Sequence, residues 1–411
     1  MVAVVALRPG TKPPPPPKAT APAPVRTTLP PPKPVAPPPV KAALVSWQLP
    51  VPVTQTVVLP GPGTTLVVIG GLVSSGGSGT GAFLLDTSSG SLHLTADLEA
   101  GVHEASGAML GSKDFVFGGM GAAATASVQS FPAPGVTATP PAGPGTSASS
   151  AHSTAAPSTT PSTTAAPSTT VAGPPAQATA ASSLPRPRAG SGTVKVGGSI
   201  YLVGGYDGPA ADGAVLATSD GQTFHTAGHL PVPVRDPAVA AVGGQIYVFG
   251  GAVRASAPRW VPVADIQQMD PRTGRARVVG RLPVAVQGAA AVTLDGHVYV
   301  AGGSGPAGTS SAIWGLALPL HPGTAAFTAA VTAAPVLDVV LAGRLPVPVY
   351  GAGVTAKGAR AWLVGGQSRG HLIGSVQEFT LQGPAAGRVP PPATGLSRSS
   401  ATTSTSLPPR G

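Results

Sequence analysis

Short runs of aliphatic and aromatic residues that end in Gly-Gly set the main pattern of the chain. They are LVVIGG, FVFGG, YLVGG, YVFGG, YVAGG and WLVGG, closing at Gly71, Gly119, Gly205, Gly251, Gly303 and Gly366. β-Branched and aromatic residues suit a pleated, half-buried surface, and paired glycines end it, so each run predicts a strand. A second apolar run precedes each one. The dipeptides between the two, Gly197-Gly198, Gly243-Gly244, Asp295-Gly296 and Lys357-Gly358, fit a tight hairpin turn that needs positive φ. A leading Leu stands 20 residues before the first Gly in five copies (98 to 118, 184 to 204, 230 to 250, 282 to 302, 345 to 365) and 21 before it in the first (49 to 70). Six copies at this spacing are an internal repeat, which outranks any local secondary-structure reading.

Weaker matches downstream, SVQSF at 127–131, DIQQM at 265–269 and SVQEF at 375–379, supply a third strand. DPRTGRARVVGRLP at 270–283 then supplies a turn, a fourth strand and the next Leu-Pro. Four strands per unit, with first glycines at 70, 118, 204, 250, 302 and 365, predict an all-β, six-bladed propeller over 42–395. The long interval from 118 to 204 contains a Ser/Thr/Pro-rich stretch at 133–182, expected to be a disordered insertion within or just after the second blade. A propeller must also close its ring. LVSWQLP at 44–50 resembles the fourth strand and exit of a blade, so the N-terminus is expected to complete the sixth blade, GRVPPP at 387–392 being too Pro-rich to pair.

The 51 Pro and 56 Gly residues add low-complexity flanks to this picture. Residues 1–41 read as a Pro-rich, disordered stalk of polyproline II character, and 396–411 as a disordered tail. The formal net charge is +10, but Lys and Arg form no cluster interleaved with aromatics, so nucleic acid is not an expected partner. Basic residues in the head favour an anionic wall or membrane surface. With no cysteine, disulfides, thiolate metal sites and Cys nucleophiles are excluded. MVAVVALRPG is a poor signal peptide. The spacer and mucin-like composition nevertheless favour an extracellular or cell-surface location with a targeting segment upstream of Met1, the alternative being cytoplasmic.

Strands ending in Gly-Gly, a turn of the DPRTGR type and a Leu-Pro before the next blade resemble the kelch-repeat family. Tyr201, Tyr247 and Tyr299, with Phe115, Trp362 and Val67, occupy matching places three residues before the first Gly. The paired Tyr and Trp of kelch outer strands are mostly missing. The resemblance implies a propeller that binds a protein or glycan ligand as a monomer. It also admits enzymes, such as copper oxidases resembling galactose oxidase and sialic-acid mutarotase-like isomerases. The former need a Tyr crosslinked to Cys, which this chain cannot make. His225 and His229 lie in a strand-like stretch without zinc spacing, so no metal or other cofactor is expected. GGSGTG at 76–81 lacks the Lys and helix start of a phosphate loop. Asp207, Asp236, Glu104 and Glu378 are the carboxylates available for acid–base work, while Asp86 and Asp270 read as turn formers.

The leading function is non-catalytic binding or scaffolding, the alternative a mutarotase-like isomerase, and an intracellular adaptor the third. Loops entering the innermost strands and loops leaving the second strands share one face of a propeller. Five residues after each leading Leu stand Thr54, His103, Ala189, Arg235, Gln287 and Tyr350, a varied set beside uniform Pro and Val. Arg188, Tyr206, Asp207, Asp236, Arg254, Arg259, Trp260, Gln367, Arg369 and His371 complete the candidate face. No catalytic residue is assigned. Arg188, Arg235 and Trp260 also admit a purely structural reading.

Overall fold

Six sheets, each built on four antiparallel strands, follow one another along the chain and close into a ring. The computed structural model describes residues 36–135, 174–317 and 337–383. The stalk up to residue 35, most of the 133–182 stretch, GRVPPP and the 396–411 tail lie outside them. Blade 1 is built from Val57–Pro60, Thr65–Ile69, Gly81–Asp86 and Leu92–Asp97, and blade 2 from Ser106–Leu110, Lys113–Phe117, Ser127–Pro132 and Thr179–Ser183. Blade 3 comprises Gly192–Val196, Ser199–Val203, Ala214–Thr218 and His225–His229; blade 4 comprises Ala238–Val242, Gln245–Phe249, Asp265–Asp270 and Arg275–Arg281. Blade 5 runs through Gln287–Leu294, His297–Gly305, Ala312–Ala317 and Asp338–Arg344. In blade 6, Gly353–Lys357, Arg360–Val364 and Ser375–Leu381 are completed by Val40–Gln48 from the N-terminus. The closing strand pairs Val40 with Leu381 and Gln48 with Ser375.

Six apolar clusters hold the ring, one between each pair of adjoining blades. Between blades 4 and 5, for instance, Phe249 and Ile266 pack with Val298 and Val300. The alternating side chains of each strand place apolar residues on both faces of a blade, because each blade is covered on both sides.

The Gly-Gly pairs have a specific task. The second glycine of each pair donates its N–H to a carbonyl of the next repeat, four residues after the leading Leu: Gly71 to Val102, Gly119 to Arg188, Gly205 to Val234, Gly251 to Val286, Gly303 to Val349 and Gly366 back to Val53. Both glycines have positive φ, and a Cβ on the first would strike that same carbonyl oxygen. The third-strand motifs are explained as well. The side-chain amides of Gln129, Gln267 and Gln377 each bond both the N–H and the C=O of Ala100, Val232 and Val347, respectively, so they clasp the segment leading into their own blade. Asp86 and Asp270 accept from backbone N–H groups two residues on, as turn formers do.

Three boundaries differ from the sequence reading. Residues 36–41, counted with the stalk, belong to the propeller: Pro38 C=O accepts from the Tyr299 hydroxyl at 2.8 Å, and strand pairing starts at Val40. The stretch 174–182, counted with the insertion on its composition, supplies most of the outer strand of blade 2, Thr179–Ser183. It also supplies Ala176–Gln177, which pairs in parallel with the edge of blade 1. Small residues suffice there because an edge strand is held chiefly by its backbone bonds. In blade 6 the hairpin turn is Gly358-Ala359, one residue later than expected, since Lys357 pairs with Arg360.

Candidate functional site

The residue six positions after each leading Leu has positive φ in every repeat: Gln55, Glu104, Gly190, Asp236, Gly288 and Gly351. Their backbones form a closed circle of six hydrogen bonds. Gln55 N–H donates to Gly351, Gly351 to Gly288, Gly288 to Asp236, Asp236 to Gly190, Gly190 to Glu104 and Glu104 to Gln55, at 2.7–3.1 Å. This ring encircles the propeller axis where the innermost strands begin. Around it, the residue five positions after each Leu bridges to the residue after Gly-Gly: Thr54 to Leu72, His103 to Met120, Ala189 to Tyr206, Arg235 to Ala252, Gln287 to Ser304 and Tyr350 to Gln367.

Three ring positions are glycine, and the other three carry polar side chains into the space this leaves. A Cβ at Gly190 would strike Asp236 Oδ1, and one at Gly288 the Tyr350 ring. Gln55 Nε2 donates to Glu104 Oε1 at 2.6 Å, and the Tyr206 hydroxyl donates to Glu104 Oε2 at 2.6 Å. Asp236 has a side chain only 8% exposed; its Oδ2 lies 3.5 Å from Arg235 Nε and has no hydrogen-bond partner among the described residues. Burial, and then the neighbouring Glu104 carboxylate, push the Asp236 carboxyl up to about 7 against the opposing pull of Arg235. Burial raises the Tyr206 and Tyr350 hydroxyls too, so both are neutral donors near pH 7. A cavity of about 110 Å³ lies within the ring.

The Arg235 guanidinium lies 4.5 Å from the Trp260 ring centroid and 5.1 Å from that of Tyr206, and the two rings meet edge to face at 5.6 Å. Arg254 stands on Trp260 at 5.2 Å. Trp260 reaches this place because Ala252–Ser256 and Arg259–Pro262 form a hairpin rising from blade 4. Apart from the contact to Asp236, the Arg235 guanidinium makes no hydrogen bond within the described residues, and its two terminal nitrogens reach solvent.

The sequence candidates therefore divide. Tyr206, Arg235, Asp236, Arg254, Trp260 and Tyr350 come together at the ring. Gln287 adjoins it, with a buried, unpartnered Oε1. His103 sits beside Glu104, its Nδ1 2.9 Å from Ser78 Oγ. Asp207 and Arg369 are exposed on surrounding turns, Arg259 and His371 are exposed at the starts of short hairpin strands, and Gln367 pairs with Leu372. Arg188 is not on this surface. It is 2% exposed, donates through Nη1 to the carbonyls of Gly204 and Ala214, and pairs with Asp212 inside blade 3. Glu104 and Gln55 were not among the ligand candidates. Aligning them with Gly190, Gly288 and Gly351 exposes them, since a non-glycine residue at a glycine position is held in the left-handed region for a reason. A larger cavity, about 610 Å³, lies away from the ring between blades 2 and 3, bordered by turn residues such as Gly111, Ser112 and Asp220. Among the described residues, no three His, Asp or Glu side chains gather as a metal site.

Fold and ring together define a six-bladed β-propeller with a polar axial site. Among solved structures the chain is similar to YjhT, with a TM-score of 0.55 and 16% identity over 80% of this chain and 95% of that one. At that identity the likeness concerns the fold. No family model matches the sequence, and no curated protein does.

Proposed function

We propose that the protein is a kelch-type binding propeller that presents the ring face to a glycan or protein ligand outside the cell. The observation that carries this reading is the Arg235 guanidinium, stacked on Trp260 and Tyr206 with its terminal nitrogens unpaired among the described residues. An aromatic-backed arginine beside amide and hydroxyl donors is the composition of a recognition site, and its charge is held ready at little entropic cost. The cavity inside the ring is smaller than the ~300 Å³ that encloses a drug-sized ligand, so a ligand lies across the mouth. The kelch assignment is supported by the repeated Leu-Pro, Gly-Gly and DPRTGR signals, and the surface location by the Pro-rich head. The test is capture from glycan arrays and envelope extracts by wild type and by Arg235→Ala. Binding lost in the variant at an unchanged Tm supports the reading; equal capture by both removes it.

A mutarotase-like isomerase is a second reading, favoured by the Glu104 and Asp236 carboxyls standing at one ring with Asp236 raised to about 7, where it can both give and take a proton. Following anomeric interconversion of neutral and acidic sugars by NMR tests it. An accelerated exchange abolished in Glu104→Gln would replace the binding reading with catalysis.

A further inference from the structure

Resting on the ring face as the ligand site, we propose that Asp236 is a proton-operated counterion: when protonated it frees the Arg235 guanidinium to hold an oxyanion of the ligand, and when ionised it cancels that charge. The geometry points to this in four ways. Asp236 follows Arg235 in the chain, and its Oδ2 lies 3.5 Å from Arg235 Nε. The same oxygen is buried and has no hydrogen-bond partner among the described residues. Its side chain fits only because position 190 is glycine. The second carboxylate, Glu104, already has both oxygens occupied by Gln55 and Tyr206, so it makes no hydrogen bond to Arg235 or Asp236 and acts on them through its charge alone.

The charges facing Asp236 decide the sign. From the second repeat comes Glu104, preceded by His103, which is held at Ser78; from blade 3 comes Tyr206; from the sixth repeat comes Tyr350. On Arg235 itself, rather than on Asp236, lies the uncharged Trp260 of the blade 4 hairpin, with Arg254 over the same ring. With Asp236 ionised, Arg235 faces two carboxylates, and an incoming anion is repelled. With Asp236 protonated, only Glu104 opposes Arg235, and the carboxyl O–H can itself donate to the ligand. Anion binding must then take up about one proton whenever the free site is ionised.

The experiment is calorimetric titration of the full chain with glucuronate and with sulfate, whose charges do not change between pH 5.5 and 9, using glucose as the neutral counterpart of glucuronate. With Asp236 titrating at about 7, affinity for both anions falls ~30-fold from pH 6 to pH 8.5. Heats measured at pH 8 in two buffers of different ionisation enthalpy give uptake of about one proton per anion, which needs no variant. Asp236→Asn, an amide that tolerates the left-handed backbone here, keeps the acid-side affinity up to pH 8.5, and Arg235→Ala loses it at every pH. Affinity without pH dependence, a proton uptake near zero, or no binding of either anion at pH 5.5 overturns the proposal. Glycan capture that requires Arg235 but is insensitive to pH overturns it while leaving the binding reading intact.

Discussion

Arg188 fills the position that valine occupies in the other five repeats, and its guanidinium is closed against Asp212. Val53, Val102, Val234, Val286 and Val349 are all buried there, so a cation has entered an apolar site and brought its own counterion. Burial lowers the Arg188 pKa and Asp212 opposes that shift. A buried pair of this kind contributes little net stability, yet removing one member is costly. Arg188→Val alone is expected to lose about 3 kcal/mol in urea unfolding, because Asp212 and two blade 3 carbonyls lose their donor. Arg188→Val with Asp212→Ala should recover most of that loss. An equal deficit in single and double variants would show that the pair holds the blade by more than mutual compensation.

Asp114 gives a stability prediction with a definite pH sense. Its place in the second strand is filled by Leu66, Ile200, Ile246, Val298 and Ala361 in the other blades, and it is itself 2% exposed with Oδ2 unpartnered. Burial raises its carboxyl to about 6, above the ~3.9 of an unfolded chain, so the folded protein holds the proton more tightly. Its contribution is fully present below about pH 4 and is lost as pH rises to about 6, at ~1.4 kcal/mol per unit. Asp114→Leu should therefore be more stable than wild type by roughly 2–3 kcal/mol at pH 8, with the ionisation part of that gain gone at pH 4. Parallel denaturation curves at the two pH values check this; a gain independent of pH would assign it to packing alone.

Ring closure depends on a strand from the far end of the sequence. A chain beginning at Leu49 lacks Val40–Gln48 and leaves Ser375–Leu381 as an open edge, so its Tm should fall by ~10 °C or more, with self-association visible by size exclusion. Because Gln382 N–H bonds Pro39 C=O at 2.8 Å, residues 36–48 grafted after residue 383 through a short turn should restore the wild-type Tm. Failure of that graft would mean that closure needs more than the strand itself.

Blade number, strand order and N-terminal closure were legible in the sequence because they rest on repeated constraints: a glycine pair with no room for Cβ, a Leu at fixed distance, a Gln clasp in three blades. Composition misled at 174–182, where Ala, Thr and Ser form a strand through backbone bonds that their side chains do not advertise. The candidate face was legible in part. Variation five residues after the Leu pointed to Arg235 and Tyr350, but the hydrogen-bonded ring is one residue further on; Glu104 was visible only as an available carboxylate, and Gln55 comes into view only when ring glycines and non-glycines are compared. Arg188 failed as a surface candidate because its position in the repeat points into the blade. Whether Arg sits inside or outside depended on Asp212, 24 residues away, a pairing that no local pattern encodes.

The bond between Gln382 and Pro39 also fixes how the molecule can be mounted. Val40 and Leu381 form the end of the blade 6 strand pair remote from the axial ring, whereas Gln48 and Ser375 lie at its ring end. Every connection that builds the ring face lies within the described residues. A surface, carrier or fluorescent label attached at residue 36 or at residue 383 therefore meets the underside, and the same orientation results from both. Immobilised molecules would all show the Arg235 side to solution, as a one-sided sensor does.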